Sequence, residues 1–244
     1  MKKLWTAFYM SLKMFSALPL PQGRWEEELR KHSTASLPLV GLVLGAIWWG
    51  LACLARRFLP DALAGAIIAA LPFLLTGFIH LDGFMDTSDA MLSWRDREAR
   101  LKILKDVHVG AFAVIALALL MLFQFAACLS LRMLFPLLLI PVLSRSGSAL
   151  CVLLLRPLGH SEYAKAADAP RSFALAVCVE ALLALFALVA FGGWRALTAG
   201  MAAIAGYGLS MRWCVRTLGG VSGDLCGFAL TVSELCALFV LAIV

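Results

Sequence analysis

Long apolar stretches restrict this chain to a small set of folds. Seven runs of 16 to 23 residues consist almost wholly of uncharged, mainly apolar side chains: 37–55, 62–79, 109–130, 133–155, 173–192, 196–211 and 225–244. A helix of about 20 such residues crosses the hydrocarbon core of a bilayer. The whole chain is 62% hydrophobic and only 15% charged. This is more apolar and less charged than a typical soluble domain. We therefore predict an all-α, polytopic integral membrane helix bundle with about seven transmembrane helices, forming one domain over residues 1–244.

The first 21 residues differ from these runs. They contain basic residues, and Lys13 interrupts their apolar part. This pattern favours an amphipathic helix lying at the membrane interface over a cleaved signal peptide. A short first membrane span is the alternative, and the sequence leaves it open.

The distribution of basic residues predicts an orientation. If residue 1 lies inside and the seven runs alternate, 16 of the 21 lysines and arginines fall in inner segments and four in outer loops. Arg145 lies within a run. This bias follows the positive-inside rule and predicts the orientation of the spans. We expect a multi-pass protein of the cytoplasmic (inner) membrane. It also accounts for the net charge of +6 without a nucleic-acid partner.

The same orientation brings distant polar segments to one side of the membrane. Residues 80–90, 104–110, 156–172 and 219–224 all become cytoplasmic. Segments that are far apart in sequence could thus form one site, with its active face towards the cytoplasm.

Three aspartates stand where the second run ends. If residues 82–89 are helical, Asp82, Asp86 and Asp89 share one face, because side chains about four and seven residues apart lie on the same side of a helix. Carboxylates this close repel each other and require a positive partner. Oxygen ligands with open positions suit Mg²⁺ that is completed by substrate phosphates, and bound protons are the alternative. A helix cap would explain Asp82 alone. His80 falls on the far side of the ideal helix, so we discount it as a ligand.

Further candidates lie in later segments. Asp224 follows a glycine-rich turn containing Gly220 and Gly223, where a phosphate could approach the backbone. Arg145 lies at membrane depth and could neutralise either a phosphate or an acid, and Glu234 is its possible structural partner. Lys105 belongs to a polar group before the third run.

Four motifs together resemble the cobalamin synthase family, the adenosylcobinamide-GDP ribazoletransferases. They are TGFIHLDGFMDTSDA (76–90), LKDVHVGAFAV (104–114), LSRSG (143–147) and GGVSGDLCG (219–227). SALPLP (16–21) and LPLVGLVLGAI (37–47) also fit the family's opening. The first block is fairly specific, and the matches run in order along nearly the whole chain. Two positions depart from the family pattern: His108 replaces an expected Arg, and Ala90 replaces a common Gly.

The resemblance implies a membrane transferase of vitamin B12 biosynthesis that depends on a divalent cation, usually Mg²⁺. Its substrates would be adenosylcobinamide-GDP and α-ribazole or α-ribazole 5′-phosphate. Its products would be adenosylcobalamin, or the corresponding 5′-phosphate, and GMP. A homo-oligomer or a contact with other cobalamin-pathway enzymes would be compatible with it.

We assign roles within this expectation as a hypothesis of our own. Four carboxylates hold the metal and carry catalysis: Asp82, Asp86, Asp89 and Asp224. The phosphate-binding residues are Lys105 and Arg145, which take phosphate charge, and Gly220 and Gly223, which let a phosphate approach the backbone.

Two other functions use the same features. A CDP-alcohol phosphotransferase would also combine aspartates, metal and a nucleotide leaving group, but the sequence after Asp86 lacks the two further aspartates of that pattern. An ion-coupled transporter could use Arg145, Glu180 and Glu234 as an intramembrane path. However, no pair of broken helices recurs in two halves of the chain.

Overall fold

The computed structural model describes residues 2–23, 25–159 and 170–244. Its α-helices are α1 (Lys2–Met14), α2 (Arg30–Ala35), α3 (Leu37–Phe58), α4 (Asp61–Leu75), α5 (Ile79–Leu92), α6 (Arg97–Ile103), α7 (Ala111–Leu129), α8 (Ile140–Leu154), α9 (Arg171–Leu218) and α10 (Gly223–Ile243). Short 3₁₀ helices cover Glu27–Leu29 and Phe135–Leu138. The described residues form no strand, only one isolated bridge between Pro157 and Val221, and the all-α prediction is confirmed.

Several helices are suited to a membrane. Within the described residues five are long and apolar enough to cross one, namely α3, α7, Phe135–Leu154, α9 and α10. A sixth crossing results if α4 and α5 together form one bent span. These helices coincide with the predicted apolar runs, and the membrane helix bundle is confirmed.

The predicted count of about seven depends on α9, which contains two of the predicted runs in one 48-residue element. Gly193 interrupts it with φ 67° and ψ −162°, a conformation that favours glycine. A Cβ atom on Gly200 would lie 2.7 Å from the Leu188 side chain. Twelve residues of continuous helix would separate these positions by about 18 Å. The chain therefore folds back at Gly193 into two antiparallel arms, 171–192 and 194–218.

The break between α4 and α5 sets the position of the acidic segment. Gly77 and Phe78 both have positive φ, 61° and 64°, and the two helices meet at 91°. The predicted run 62–79 therefore ends as a helix at Leu75. A separate helix, turned by a right angle, presents the aspartates.

The N-terminal helix lies beside the bundle. At 13 residues α1 is about 20 Å long, shorter than the roughly 30 Å hydrocarbon core. Ser11 on its buried face hydrogen-bonds to the Ser33 hydroxyl at 2.7 Å, whereas Trp5 is exposed. This favours the interfacial placement over a membrane span.

The two ends of the bundle carry different segments. At one end, Arg56 donates to the carbonyl oxygens of Cys128 and Leu129. At the other end, Arg97 donates through Nε to the Leu218 carbonyl oxygen at 2.9 Å, and Val221 bonds to Arg156 and Leu158. Parts of the segments predicted to share the cytoplasmic side therefore do lie together.

Candidate active site

A cavity of about 190 Å³ lies among α3, α5, α8 and α10, beside the end of α1. Its lining is partly apolar, with Phe15, Leu37, Ile79, Val152 and Leu230. Its polar lining residues are His80, Asp82, Arg145, Ser148 and Asp224. An apolar cavity with a few convergent polar groups is the usual form of a small-molecule site.

Glycines allow α5 and α10 to cross closely at this cavity. A Cβ atom on Gly83 would lie 2.8 Å from Cα of Asp224, and one on Gly227 would lie 3.2 Å from Cα of His80. Larger side chains would push the helices apart. The crossing therefore sets Asp82 and Asp224 on one cavity wall. His80 of α5 lies against Gly227, about one helical turn after Asp224 in α10.

The predicted carboxylates converge. Asp86 lies close enough to Asp82, Asp224 and Asp89 to be repelled by their charges, and Asp224 lies similarly close to Asp82. Asp82 is exposed, while the other three are partly buried. Within the described part of the chain, none of the four forms a salt bridge with a basic side chain. Their charge is therefore uncompensated by these residues.

The cluster fits a metal ion only in part. Among residues 2–23, 25–159 and 170–244, no three His, Cys, Asp or Glu side chains are placed to hold one ion. The available donors are carboxylate oxygens, the ligands that Mg²⁺ prefers, and this ion commonly uses one or two carboxylates and completes its shell with water and substrate phosphate. The cluster thus suits an ion that arrives with a phosphate-bearing substrate better than a resident all-protein site.

Asp89 has a second role that the sequence did not reveal. Its Oδ1 accepts a hydrogen bond of 3.4 Å from the backbone N–H of Ala113 in the first turn of α7. A Cβ atom on Gly110 would overlap the same carboxylate. Asp89 therefore holds the start of α7 against α5, as carboxylates do at helix N-termini.

Arg145 is paired inside the bundle. Its Nη1 donates to Oε1 of Glu234 at 3.0 Å, and both side chains are almost fully buried. Ser144 donates to the same oxygen at 2.9 Å. The Nε of Arg145 has no hydrogen-bond partner among the described residues. Arg145 thus lines the cavity as one half of a buried ion pair.

His80 is the residue that sequence reasoning missed. We expected it on the side of α5 away from the aspartates, yet it lines the same cavity. The reason is its place in the first turn: because α5 begins at Ile79 after a sharp bend, several faces of this helix end border the cavity. The Phe15 ring stacks on the imidazole with centroids 6.2 Å apart. The sequence signal that could have indicated this position was His80 itself, the first residue of the HLDG motif.

The remaining candidates differ in position. Gly223 lines the cavity, whereas Gly220 is buried and packs against the backbone of Leu158, where a Cβ atom would meet Cα at 2.9 Å. Lys105 is exposed in the turn after α6 and, among the residues described, is not part of the cavity wall. Nearby, a hydrogen bond from His108 holds the pKa of the Asp106 carboxyl below its usual range.

Comparison with known proteins gives a consistent result. A profile of the family described as cobalamin-5-phosphate synthase matches residues 7–242. A protein of Clostridium perfringens (strain ATCC 13124) named adenosylcobinamide-GDP ribazoletransferase is 36% identical over 259 residues, covering 100% of both chains. Proteins of that name from Desulfitobacterium hafniense (34% identical; 96% of this chain and 94% of the other) and Clostridium botulinum strain Alaska E43 (32%; 98% of both) are also similar. No solved structure matches the chain.

Proposed function

The chain belongs to the cobalamin-5-phosphate synthase family, and we propose that it joins adenosylcobinamide-GDP to α-ribazole, or to α-ribazole 5′-phosphate, with release of GMP. This reaction is a late step of vitamin B12 biosynthesis. Family membership decides between it and the two alternatives, a CDP-alcohol phosphotransferase and a transporter. The observation that carries the chemistry is the crossing of α5 and α10, which places Asp82 and Asp224 on one cavity.

The acidic cluster is suited to a diphosphate only together with a cation. The carboxylates and the substrate are both negative, so they would repel each other. We propose that Mg²⁺ arrives with the substrate and binds at this cluster through one or two of the carboxylates of Asp82, Asp86 and Asp224 and through the diphosphate oxygens. Bound there, the ion would neutralise negative charge on the diphosphate oxygens and on the leaving group. Their uncompensated charge among the described residues supports this assignment.

The reaction exchanges one phosphorus–oxygen bond for another. A ribose hydroxyl oxygen of the ribazole attacks the phosphorus that carries the cobinamide. The bond from that phosphorus to the bridging oxygen breaks, and the bridging oxygen leaves as part of GMP. A carboxylate must accept the hydroxyl proton. Asp224 is our candidate, because it is less exposed than Asp82 and borders the cavity.

Cationic and backbone groups supply the remaining contacts. The first turn of α10 includes Gly223 on the cavity wall, and helix N-termini favour phosphate. Arg145 lines the cavity from α8. Lys105 is exposed, and we assign it to the charge of the large nucleotide substrate outside the cavity. Gly220 contributes by letting the turn before α10 pack against Leu158.

We further propose that the protein lies in the cytoplasmic (inner) membrane. The end of the bundle that carries the aspartates would face the cytoplasm. The excess of basic residues in the segments gathered at this end supports that orientation. Soluble nucleotide substrates and Mg²⁺ would then reach the cavity from the cytoplasm.

The direct test uses purified protein in detergent with adenosylcobinamide-GDP, α-ribazole and Mg²⁺. We expect GMP and adenosylcobalamin in equal amounts. A folded protein that releases no GMP with either ribazole form, at any Mg²⁺ concentration, would overturn the proposal. Solute flux in proteoliposomes without GMP release would support the transporter instead.

A further inference from the structure

We infer that the cavity is the subsite for the benzimidazole ring of the acceptor, and that His80 Nε2 hydrogen-bonds to its free ring nitrogen. This inference rests on the proposed function and adds the location of one of its two substrates. The chemistry of the carboxylate cluster leaves the His80 imidazole without a role.

One nitrogen of the imidazole is buried without a polar partner. His80 as a whole is half-buried, but its Nε2 is closed off from solvent and has no hydrogen-bond partner among the residues described. An unmade hydrogen bond at a buried polar atom is destabilising. Buried groups of this kind are normally satisfied. A ligand in the adjoining cavity would supply the missing partner once the His80 ring turns its Nε2 towards the cavity.

The size of the cavity limits the occupant. Its volume is about 190 Å³, and an apolar cavity of roughly 150 Å³ is enough for benzene. A single aromatic ring system therefore fits the space with little adjustment. A corrin macrocycle does not, so the cobinamide must remain outside the cavity.

The chemistry of the walls distinguishes between two aromatic bases. Phe15 and His80 form a stacked aromatic wall, and Leu37, Val152 and Leu230 add apolar surface. A ribazole has an apolar ring edge and one ring nitrogen with a free lone pair, which a single N–H donor satisfies. Guanine carries a polar edge with several donors and acceptors, which the apolar surface of Leu37, Val152 and Leu230 cannot pair.

The relative positions of the groups also suit the acceptor. The close contacts of Gly83 with Asp224 and of Gly227 with the His80 backbone set position 80 about one helical turn from the carboxylate crossing. A nucleoside has a comparable arrangement, with its base at one end and its ribose hydroxyls at the other. With the base beside His80, the ribose would lie towards Asp82 and Asp224.

A pair of acceptors tests the hydrogen bond. α-Ribazole is compared with its indole analogue, in which C–H replaces the free ring nitrogen. The wild-type enzyme should prefer α-ribazole about tenfold in kcat/KM, the value of one hydrogen bond. His80→Phe, which keeps an aromatic ring against Phe15, should reduce this preference to near one. Its KM for adenosylcobinamide-GDP should stay within about twofold, because a lost hydrogen bond to one substrate does not change binding of the other.

Controls separate this effect from loss of structure. His108→Gln alters an exposed imidazole and should keep the tenfold preference. Val152→Trp should fill the cavity from α8 and raise KM for α-ribazole alone. It also provides a measurement if His80→Phe does not accumulate.

Three results would overturn the inference. They are equal use of both acceptors by the wild type, an unchanged preference in His80→Phe, and a rise in KM for adenosylcobinamide-GDP alone in Val152→Trp. The last would place guanine in the cavity. All three leave GMP release by the wild type intact, so they are distinct from failure of the proposed function.

Discussion

Gly83 of α5 lies against the backbone of Asp224 in α10 so closely that a Cβ atom at position 83 would be 2.8 Å from Cα and from the carbonyl oxygen of Asp224. The neighbouring atoms are backbone, which cannot rotate away as a side chain can. The short distance between the two carboxylate-bearing helices therefore requires a glycine, which has no Cβ atom, at position 83.

A methyl group at this crossing should impair catalysis more than folding. In Gly83→Ala, α5 and α10 must separate, and a displacement of about 1 Å at a catalytic site can cost roughly 100-fold in rate. We expect kcat to fall by this order while the protein still accumulates in membranes. Gly50→Ala is the matched control, because a Cβ atom there meets nothing within 4 Å. Equal activity of the two variants would contradict the importance of the crossing.

Removing charge from the cluster should separate activity from stability. In Asp86→Asn we expect turnover to fall by about 100-fold or more. Without divalent cations its melting temperature should rise above that of the wild type, because Asp86 is repelled by three other carboxylates. The measurements are GMP release and thermal unfolding in detergent. Asp61→Asn at the opposite end of the bundle, where Asp61 pairs with Arg56, should retain activity. Normal turnover in Asp86→Asn would refute a metal-binding role.

Metal removal should produce a reversible loss. Treatment with EDTA should abolish turnover, and added Mg²⁺ should restore it, because the donors of the cluster are carboxylate oxygens. Mg²⁺ with adenosylcobinamide-GDP should raise the melting temperature of the wild type more than that of Asp86→Asn. Recovery with Zn²⁺ but not with Mg²⁺ would argue against an all-oxygen site.

Asp89 should behave differently from Asp86. Asn is as good an N-terminal acceptor as Asp, whereas Ala removes the hydrogen bond to Ala113 at a cost of about 1 kcal/mol. We therefore expect Asp89→Asn to keep much more activity than Asp86→Asn, and Asp89→Ala to lower the melting temperature. If Asp89→Asn is as inactive as Asp86→Asn, the carboxylate acts directly on metal or substrate, as the sequence alone suggested.

The buried ion pair of Arg145 and Glu234 should be essential to stability. Glu234→Gln leaves a buried guanidinium without its counter-ion, which typically costs about 3–5 kcal/mol. Thermal unfolding should show a clear loss, and Arg145→Gln combined with Glu234→Gln should recover part of it. Activity should remain low in the double variant because the cavity loses its cation. Full activity in that variant would mean that Arg145 is only structural.

The sequence by itself determined the class of fold and most of the acidic site. Apolar runs of about 20 residues match the thickness of the hydrocarbon core, and a helix pairs their backbone groups internally, so α3, α7 and α10 were predictable. Helical spacing placed Asp82 and Asp86 on one face because that spacing is a local property of the backbone. The glycine-rich turn marked Asp224 for the same kind of reason.

Only the tertiary structure decided which groups meet. The left-handed residues Gly77 and Phe78 turn α5 by a right angle, and this brings His80 to the cavity although an ideal helix directs it away from the aspartates. Arg145 pairs with Glu234, which is 89 residues away in the sequence. Asp89 contacts Ala113 of α7, which is 24 residues away. Such contacts depend on how helices cross and on where small residues let them approach, and neither is encoded in the periodicity of a single helix.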